Sequence, residues 1–384
     1  MSRLAPPLGT PAGVDALLRA SCAAALGVPT ERLPPAQPRR ARPGSGADYA
    51  SSLPLRLAGP FRRSAADLAV RAAAILRENP AVAGSGVEGA AFLTLTLTPT
   101  SRLGPVVAAA ADPWSYLAGG GPQPAIERSA QPPLRDLAQA GDLAAARDLA
   151  RADARLRIAA AVGHGVEAPS SGAGEGTGWR DRYIDAPDPQ GASAKLLAVI
   201  GEAAARFSFC RSPSDRVRPD EATGPGLPAL PSAWAPGTWA RAVGANPAFA
   251  VRYAHAHARA TRDLWAPASG RPPGGWDFGD PVAAAALAEP AAADLVSTLF
   301  DGPAALAAAA RRSEPHILVR YLEELSAAYH EWWESCDAIT GDTLHRDADA
   351  CAQTAAARLD VCEATAGVLR VGLFLIGVPA PTRP

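Results

Sequence analysis

The C-terminal half of the chain, from Leu196 onward, consists of helical patterns separated by short, turn-like breaks. Apolar residues recur there at spacings of three and four, as expected for helices with one buried face. Besides residues 245–260, four stretches show this pattern: LLAVIGEAAARFSFC, AAALAEPAAADLVSTLF, EPHILVRYLEELSAAYHEWWESC and CAQTAAARLDVCEATAGVLRVGLFLIGV. We therefore predict an all-α helical bundle of about five or six helices over residues 196–384.

The first 112 residues combine helices with a strand. The stretch SAADLAVRAAAILRENP has helical spacing, an N-cap candidate at Ser64 and a stop signal at Asn79-Pro80. In GAAFLTLTLTP, leucines alternate with threonines, which is the period of a strand with one buried face. The fold class expected for the chain is α+β: a small N-terminal α+β domain with an antiparallel sheet, residues 1–112, followed by the helical bundle.

Residues 113–195 show the least organisation. LRDLAQAGDLAAARDLARADARLRIAAAV is a charged helical stretch, and the segments around it, YLAGGGPQP and APSSGAGEGTG, are rich in Gly, Ser and Pro. Such segments are typical of flexible links. We therefore expect residues 113–195 to form a flexible, partly helical linker between the two domains.

Charge is balanced overall but unevenly distributed. The chain has 37 basic and 38 acidic residues, and Lys195 is the single lysine, a bias that suggests codon composition before function. Residues 1–112 hold 12 basic against 7 acidic side chains, whereas residues 236–384 hold 12 against 17. A basic N-terminal part suits a phosphate-bearing partner, and an acidic C-terminal part opposes one unless its arginines share a face.

The cysteines and apolar runs place the chain in a broad class. The five cysteines have no CxxC spacing, and the set His330, Cys336, His345 and Cys351 lacks the ligand-pair spacing of a metal site. No apolar run approaches the roughly 18–20 residues of a membrane helix, and residues 17–27 do not match a signal peptide. We expect a cytoplasmic protein with reduced thiols and with neither a metal nor a membrane as partner.

The stretch ANPAFAVRYAHAHARA, residues 245–260, gathers aromatic and basic side chains into little more than two helical turns. Because the surrounding sequence is rich in alanine, this concentration of aromatic and basic side chains marks a candidate functional site. In a helix, Phe249, Tyr253 and His257 form one stripe, and Arg252, His255 and Arg259 lie largely on another.

Four ordered segments resemble arginyl-tRNA synthetases. The stretch at 245–260 is similar to the NPxYYVQYAHAR signature that opens that family's anticodon-binding helical domain. The other three are GEAAARFSFCRSPSD, similar to GADAARYFLLSRSPD, the helix EPHILVRYLEELSAAYHEWWESC, and VLRVGLFLIGVPAPTRP, similar to VLRNGLDLLGVSAPERM. Residues 48–97 look like the family's N-terminal tRNA-body-binding domain. In the synthetases the helix that matches residues 245–260 contacts anticodon nucleotides, and unpaired RNA bases are bound by aromatic stacking and by hydrogen bonds from arginine. The resemblance therefore implies that the RNA-binding residues are Asn246, Phe249, Arg252, Tyr253, His255, His257 and Arg259. It also implies a tRNA-body-binding domain at residues 1–112 and a DALR-type anticodon-binding domain at residues 196–384.

The segment between the two modules decides the expected activity. In the synthetases a nucleotide-binding Rossmann domain separates them, and a single βαβ unit of such a domain takes about 30 residues. Here only residues 113–195 are available, without an alternation of strands and helices. His164 in VGHGVE has no second histidine at His-x-Gly-His spacing, and Lys195 in ASAK does not match the family's lysine loop. We therefore expect no aminoacylation, no catalytic residues and no cofactor.

Three positions in the anticodon helix depart from the family pattern. Ala250 stands where an aromatic residue is usual, Arg252 where glutamine is usual, and His257 where arginine is usual. Losing a stacking platform costs ~1–3 kcal/mol per base that used it, and arginine favours phosphate over base edges. These positions decide whether base-specific reading of an arginine anticodon is retained. A structural interpretation stays open, in which Phe249 and Tyr253 pack between helices and His255 donates to a buried carbonyl.

Two further groups of residues have both a binding and a structural interpretation. Arg62, Arg63 and Arg71 in the basic N-terminal domain are candidate phosphate contacts or simply solvated arginines. The tryptophans at 332 and 333, with neighbouring Tyr329 and His330, form a candidate stacking surface, although helical spacing sends at least one tryptophan into the core.

The sequence favours a non-catalytic tRNA-binding relative of arginyl-tRNA synthetase. Its expected partners are tRNA or a tRNA-like RNA, with tRNA-Arg as one candidate, and a synthetase or other translation protein. Two alternatives remain. One is a protein–protein interaction or regulatory module that has kept the fold and lost RNA binding. The other is a tRNA-dependent transferase with an unrecognised site.

Overall fold

The computed structural model describes residues 8–42, 44–119, 134–163, 175–176, 190–218, 220–269, 281–336 and 348–381. The chain divides into two compact units. Unit 1 consists of Met1–Ala108, Gly274–Asp301 and Thr340–Arg358. Unit 2 consists of Ala109–Pro273, Gly302–Ile339 and Leu359–Pro384.

Unit 1 contains the predicted α+β domain. Its elements are α1 (Pro11–Leu26), β1 (Arg39–Arg40), β2 (Tyr49–Ser51), α2 (Leu53–Phe61), α3 (Ala65–Arg77), β3 (Val82–Glu88), β4 (Phe92–Leu97), α4 (Pro99–Arg102) and α10 (Pro281–Ala286). The four strands form one sheet in the order β1-β2-β4-β3, and every pairing is antiparallel. The Ser64 hydroxyl caps α3 by accepting from the Asp67 backbone N–H. Both the antiparallel sheet and the N-cap agree with the sequence prediction.

The core of unit 1 follows from the alternation in β4. Leu93, Leu95 and Leu97 are fully buried, and they share one cluster with Leu68 and Leu76 of α3. Burying a leucine side chain stabilises a fold by about 1.5–3 kcal/mol, so this strand face holds α3 against the sheet. The period-two pattern thus fixes which face of β4 meets the helices.

Unit 2 is helical, but its bounds differ from the predicted domain at residues 196–384, since it includes residues 109–195 and lacks Gly274–Asp301 and Thr340–Arg358. Its elements are α6 (Pro113–Leu117), α7 (Leu143–Gly163), β5 (Glu175–Gly176), α8 (Gly191–Arg211), β6 (Ala222–Gly224), β7 (Leu227–Pro228), α9 (Pro247–Ser269), α12 (Pro315–Ser335) and β8 (Ala380–Pro381). Three helices span a boundary between the units and contribute residues to both: α5 (Gly104–Ala111), α11 (Pro290–Arg312) and α13 (Ala348–Leu375). Within unit 2, α7 packs on α8, and α12 packs on both α8 and α9.

Helix α8 changes direction at Gly201. This residue has φ 78° and ψ 161° inside a segment that is otherwise helical, a backbone conformation open to glycine and costly for other residues. The following turns, from Glu202 to Arg211, are almost entirely buried. The kink therefore turns the GEAAARFSFC segment into the centre of unit 2.

The middle of the chain differs from the flexible linker expected over residues 113–195. Helix α7 belongs to unit 2, and the guanidinium-bearing side chains of Arg147, Arg151 and Arg157 on it are buried. Arg157 lies over the ring of Phe374, 4.6 Å from its centroid. A run of arginines and aspartates resembles a solvated helix in sequence, but here the arginines donate inward. Residues 120–133, 164–174 and 177–189 of that predicted linker, including His164, lie outside the described residues.

Two arginines of α7 hold the segment that follows α8 in place. Arg151 donates to the carbonyl of Ser212 and to the carboxylate of Asp215, at 3.1 Å for the latter. Arg147 donates to the carbonyls of Ser214 and Asp215. Carbonyls beyond the end of a helix lack intrahelical partners, and buried ones must find a donor elsewhere. These arginines supply the donors.

Candidate nucleic-acid interface

Helix α9 contains the predicted RNA-binding stretch, and Asn246 is its N-cap. The Oδ1 atom of Asn246 accepts from the backbone N–H groups of Ala248 and Phe249. Its Nδ2 donates to the carbonyls of Trp239 at 3.1 Å and Arg241 at 2.9 Å. The side chain is 3% exposed. Asn246 is therefore a structural cap, and its predicted RNA contact must be withdrawn because every polar atom of the side chain is used inside the fold.

His255 is also a structural residue. It is 1% exposed, and its Nδ1 lies 2.9 Å from the carbonyl oxygen of Pro381. Burial lowers the pKa of this imidazole to about 4, so it is neutral near pH 7. A carbonyl can only accept, and Nδ1 is thus the protonated nitrogen of the ring. The structure favours the alternative in which His255 donates to a buried carbonyl, and its predicted RNA contact is corrected on this ground.

The remaining aromatic side chains of α9 combine with α12 into one surface, which we call the aromatic strip. Its members are Phe249, Tyr253, His257, His330 and Trp333, and each is half-buried. The rings of Phe249 and Tyr253 are stacked with centroids 5.8 Å apart, and Tyr253 stacks on His330 at 5.7 Å. His257 meets Trp333 edge to face at 4.7 Å. Offset and edge-to-face contacts of this kind fix aromatic rings relative to one another.

The aromatic strip rests on buried residues of α12. Tyr329 is fully buried, and its hydroxyl oxygen lies 2.8 Å from Nδ1 of His257. Trp332 is 1% exposed, whereas its neighbour Trp333 is at the surface. The adjacent tryptophans thus separate into one core residue and one strip residue, as their helical spacing predicts. Sequence reasoning weighed His330 and Trp333 without including them in the predicted site, because only the packing of α12 on α9 brings them together.

The strip carries little charge of its own. Burial lowers the pKa values of His257 and His330, so that both imidazoles are mainly neutral near pH 7. Burial also raises the pKa of the Tyr329 phenol beneath them. A neutral imidazole offers an aromatic face to a base, but it does not neutralise a phosphate.

Arginines provide positive charge beside the strip. Arg252 is an i, i+3 neighbour of Phe249 on α9, and Arg259 follows two turns later. Both arginines, together with Arg370 of α13, depress the pKa of His255, because all three positive charges lie near that ring. Arg259 also pairs with Asp263 at 2.9 Å. We call Arg252, Arg259 and Arg370 the basic flank. Arg370 was missed from the sequence because its nearness to α9 depends on the fold of α13.

The three arginines predicted in the N-terminal domain are exposed. Arg62 follows the end of α2 in a left-handed conformation with φ 49°, Arg63 is next to it, and Arg71 lies on α3. The described residues include no ion-pair partner for any of them. Their contact with phosphate stays a prediction, as does RNA binding by Phe249, Arg252, Tyr253, His257 and Arg259.

In the described part of the chain, no group of three or more His, Cys, Asp or Glu side chains is arranged to hold a metal ion. In the same residues, no helix combines the length and apolar character needed to cross a bilayer. The metal candidates considered from the sequence were His330, Cys336, His345 and Cys351. Of these, His345 and the side chain of Cys351 lie outside the described residues.

Comparison with known proteins supports the resemblance. Residues 277–383 match the DALR anticodon binding domain family. The chain is 33% identical over 191 residues to the arginine–tRNA ligase of Micrococcus luteus and 32% identical over 190 residues to that of Renibacterium salmoninarum. Each match covers 49% of this chain and 30% of the relative's own length. The chain therefore aligns with less than a third of these relatives.

A solved structure extends the comparison to the fold. The arginyl-tRNA synthetase of Thermus thermophilus superimposes with a TM-score of 0.50 at 14% identity, covering 97% of this chain and 100% of that one. At that identity the likeness concerns the fold alone. Taken with the sequence matches, it relates this chain to the arginine–tRNA ligases over about half its length and places a DALR anticodon binding domain at residues 277–383.

Proposed function

We propose that this chain binds tRNA, or an RNA of similar shape, through unit 2. The observation that carries the proposal is that α9 bears three rings of the aromatic strip together with two arginines of the basic flank, Arg252 and Arg259. Tyr253 lies at the centre of the strip, stacked on Phe249 and His330 and still partly open to solvent. The relatives of this chain are named as ligases of arginine and tRNA, which makes tRNA the first RNA to test.

The two surfaces have complementary tasks in this proposal. Aromatic platforms contribute ~1–3 kcal/mol for each base that stacks on them, and they accept any base. Arginines neutralise phosphates and make binding dependent on salt. Because His257 and His330 are neutral near pH 7, the phosphates would be neutralised by Arg252, Arg259 and Arg370. This division supports binding of an unpaired loop whose bases face the strip and whose backbone follows the flank.

We further propose that the chain does not activate amino acids. The support is chemical: the sequence has no His-x-Gly-His pair and a single lysine, Lys195, outside the loop motif that would neutralise developing charge. Lys195 lies exposed near the N-terminal end of α8. Arginine-dependent exchange of pyrophosphate into ATP measures this directly, with and without added tRNA. We expect no exchange above a protein-free blank, and exchange that rises with protein concentration would overturn the proposal.

The binding proposal is tested by purifying the protein from cells under mild salt and sequencing the small RNA that accompanies it. We expect enrichment of tRNA over a mock purification, and loss of that enrichment in Tyr253→Ala. Binding of purified tRNA should also weaken steeply as salt rises, whereas an apolar protein interface would barely respond. RNA no richer than in the mock purification, together with no binding to tRNA at low salt, would overturn the proposal.

A further inference from the structure

The most exposed large apolar side chain of the described residues is Trp234. It is 90% exposed, whereas Trp114, Trp239 and Trp332 are all buried. It lies at the tip of a tight turn in which Ser232 and Ala235 exchange backbone hydrogen bonds of 3.4 and 3.2 Å. The Ser232 hydroxyl also accepts from the Ala235 N–H at 3.1 Å. The turn therefore fixes the backbone under an indole that the fold itself does not use.

The loop around this turn is firmly built. The indole N–H of Trp239 donates to the carbonyl of Pro228 at 3.0 Å, and the Thr238 N–H donates to the carbonyl of Gly226 at 2.7 Å. Gly226 and Gly237 have φ values of 65° and 62°. A Cβ on Gly237 would collide with the Gly226 carbonyl, so the close approach needs glycine. Because the loop is ordered by its own contacts, binding at Trp234 would cost little further entropy.

The same loop is joined to the aromatic strip through the cap of α9. Asn246 donates from Nδ2 to the carbonyls of Trp239 and Arg241, which end the loop, and its Oδ1 begins α9. The turn that presents Trp234 and the helix that presents Tyr253 are thus parts of one hydrogen-bonded structure in unit 2. These hydrogen bonds connect the end of the loop to the start of α9.

The charges around the loop favour a phosphate-bearing ligand. Arg216, Arg218 and Arg241 are exposed, and within the described residues none of them has an ion-pair partner. Among the acids of the same segment, Asp215 pairs with Arg151 and Arg155, whereas Asp220 is exposed and lines one pocket with Arg216 and Arg218. Glu221 accepts from the hydroxyls of Ser212 and Ser214. The Ala229 N–H donates to the Glu221 carbonyl at 2.8 Å, which ties the arginine-bearing segment to the loop.

We propose that Trp234 is a second stacking platform, which takes an unpaired base of the bound RNA while Arg216, Arg218 and Arg241 face its phosphates. The proposal rests on the RNA-binding function proposed above. A single exposed indole suits a nucleobase, which needs one face only. A protein partner would need a wider apolar surface, and among the described residues of 212–246 the exposed large apolar side chains are Trp234 and Val243.

The experiment compares two fluorescently labelled RNAs, a hairpin with a seven-nucleotide unpaired loop and a fully paired duplex of similar length. Trp234→Ala should weaken binding of the hairpin by roughly 5- to 150-fold, the range that base–aromatic stacking gives. Trp234→Phe should recover most of the loss, and neither variant should change binding of the duplex. Leu264→Ala is the matched control, since Leu264 is 72% exposed on α9 and contributes no ring.

A photocrosslink locates the contact independently. Hairpin RNA carrying 5-iodouridine in its loop should crosslink to the tryptic peptide spanning residues 217–241, and this crosslink should disappear in Trp234→Ala. If Tyr253→Ala loses hairpin binding while Trp234→Ala binds as the unmodified protein does, the Trp234 platform is wrong and the proposed function stands. If the unmodified protein binds neither RNA, both proposals fail. Equal weakening of hairpin and duplex by Trp234→Ala would also overturn base stacking.

Discussion

The Nδ1 atom of His257 lies 2.8 Å from the hydroxyl oxygen of Tyr329, so a half-buried side chain of α9 is fixed to a fully buried side chain of α12. His257 in turn meets Trp333 edge to face. The aromatic strip is therefore positioned from beneath before any ligand arrives. A surface ordered in advance loses less entropy on binding than a flexible one.

Tyr253 is the strip residue whose removal should affect RNA binding most. Tyr253→Ala deletes the central ring, and we expect tRNA affinity to fall by about 1–3 kcal/mol, as for other base-stacking residues. Tyr253→Phe keeps the ring and should bind within about twofold of the unmodified protein. Fluorescence anisotropy with labelled tRNA gives the affinities, and circular dichroism checks that each variant is folded. Equal losses in both variants would mean that the hydroxyl matters and the ring does not.

Arg252 should contribute to binding through phosphate. Arg252→Gln removes one charge and installs the residue usual at this position in the synthetase pattern. Each neutralised phosphate contributes about 0.7–0.9 to the slope of log affinity against log salt, so the slope should fall by nearly one. Titrations of tRNA at several salt concentrations measure it. An unchanged slope would exclude a phosphate contact at this position.

His255 should make the stability of unit 2 depend on pH. Its pKa is about 4 in the folded protein against a usual value of 6.5. The unfolded chain takes up this proton first as pH falls, so the stabilisation is complete above pH 6.5 and is lost between pH 6.5 and 4. The shift corresponds to roughly 3 kcal/mol of unfolding free energy. Urea unfolding at a series of pH values follows it.

The control for that measurement is His255→Asn. The amide of asparagine can donate to the Pro381 carbonyl, as Nδ1 of His255 does, but it does not titrate. Other groups contribute to acid unfolding in both proteins, and the difference between the two profiles isolates the histidine. Parallel profiles from pH 7 to pH 4 would show that His255 is not the residue responsible.

Arg206 should be among the residues on which the stability of unit 2 depends most. It is 0% exposed, and it pairs with Glu202 at 2.9 Å and Asp153 at 3.1 Å. Removing one partner of a buried pair leaves a charge without compensation, so Arg206→Met should cost about 3–5 kcal/mol. The exposed i, i+4 pair Arg259–Asp263 is the comparison, and Asp263→Ala should cost about 0.5 kcal/mol or less. Similar urea midpoints for the two variants would contradict this ranking.

The elements of the fold could be predicted where a single helix or strand determines the pattern. The alternation of Leu93, Leu95 and Leu97 identifies a buried strand face, and Ser64 marks a helix start, because both signals are local. In the site, the stripe of Phe249, Tyr253 and His257 follows from helical spacing alone. These parts need no knowledge of which elements meet.

The parts that could not be predicted depend on contacts between elements distant in sequence. Asn246 resembles a polar surface residue until Trp239 and Arg241 are seen to accept from it. His255 is assigned to the interior by Pro381, more than a hundred residues later. Trp234 gave no sequence signal, since an exposed tryptophan and a buried one follow the same local pattern. In these cases burial and the position of hydrogen-bond acceptors distinguish a structural residue from a ligand-contacting one, and residue type does not.

The buried arginines of α7 and α8 make hydrogen bonds that lysine could not make. Arg206 donates from three nitrogens to Glu202, Asp153 and the carbonyl of Arg135, and Arg151 serves a carbonyl and a carboxylate at once. A planar guanidinium has five donors in a fixed fork, whereas an ammonium is a compact point charge. Exchange of arginine for lysine has little effect at most surfaces. In this interior it would leave buried hydrogen-bond acceptors without a donor. Replacing these buried arginines with lysine would therefore destabilise unit 2, whatever the origin of the chain's bias toward arginine.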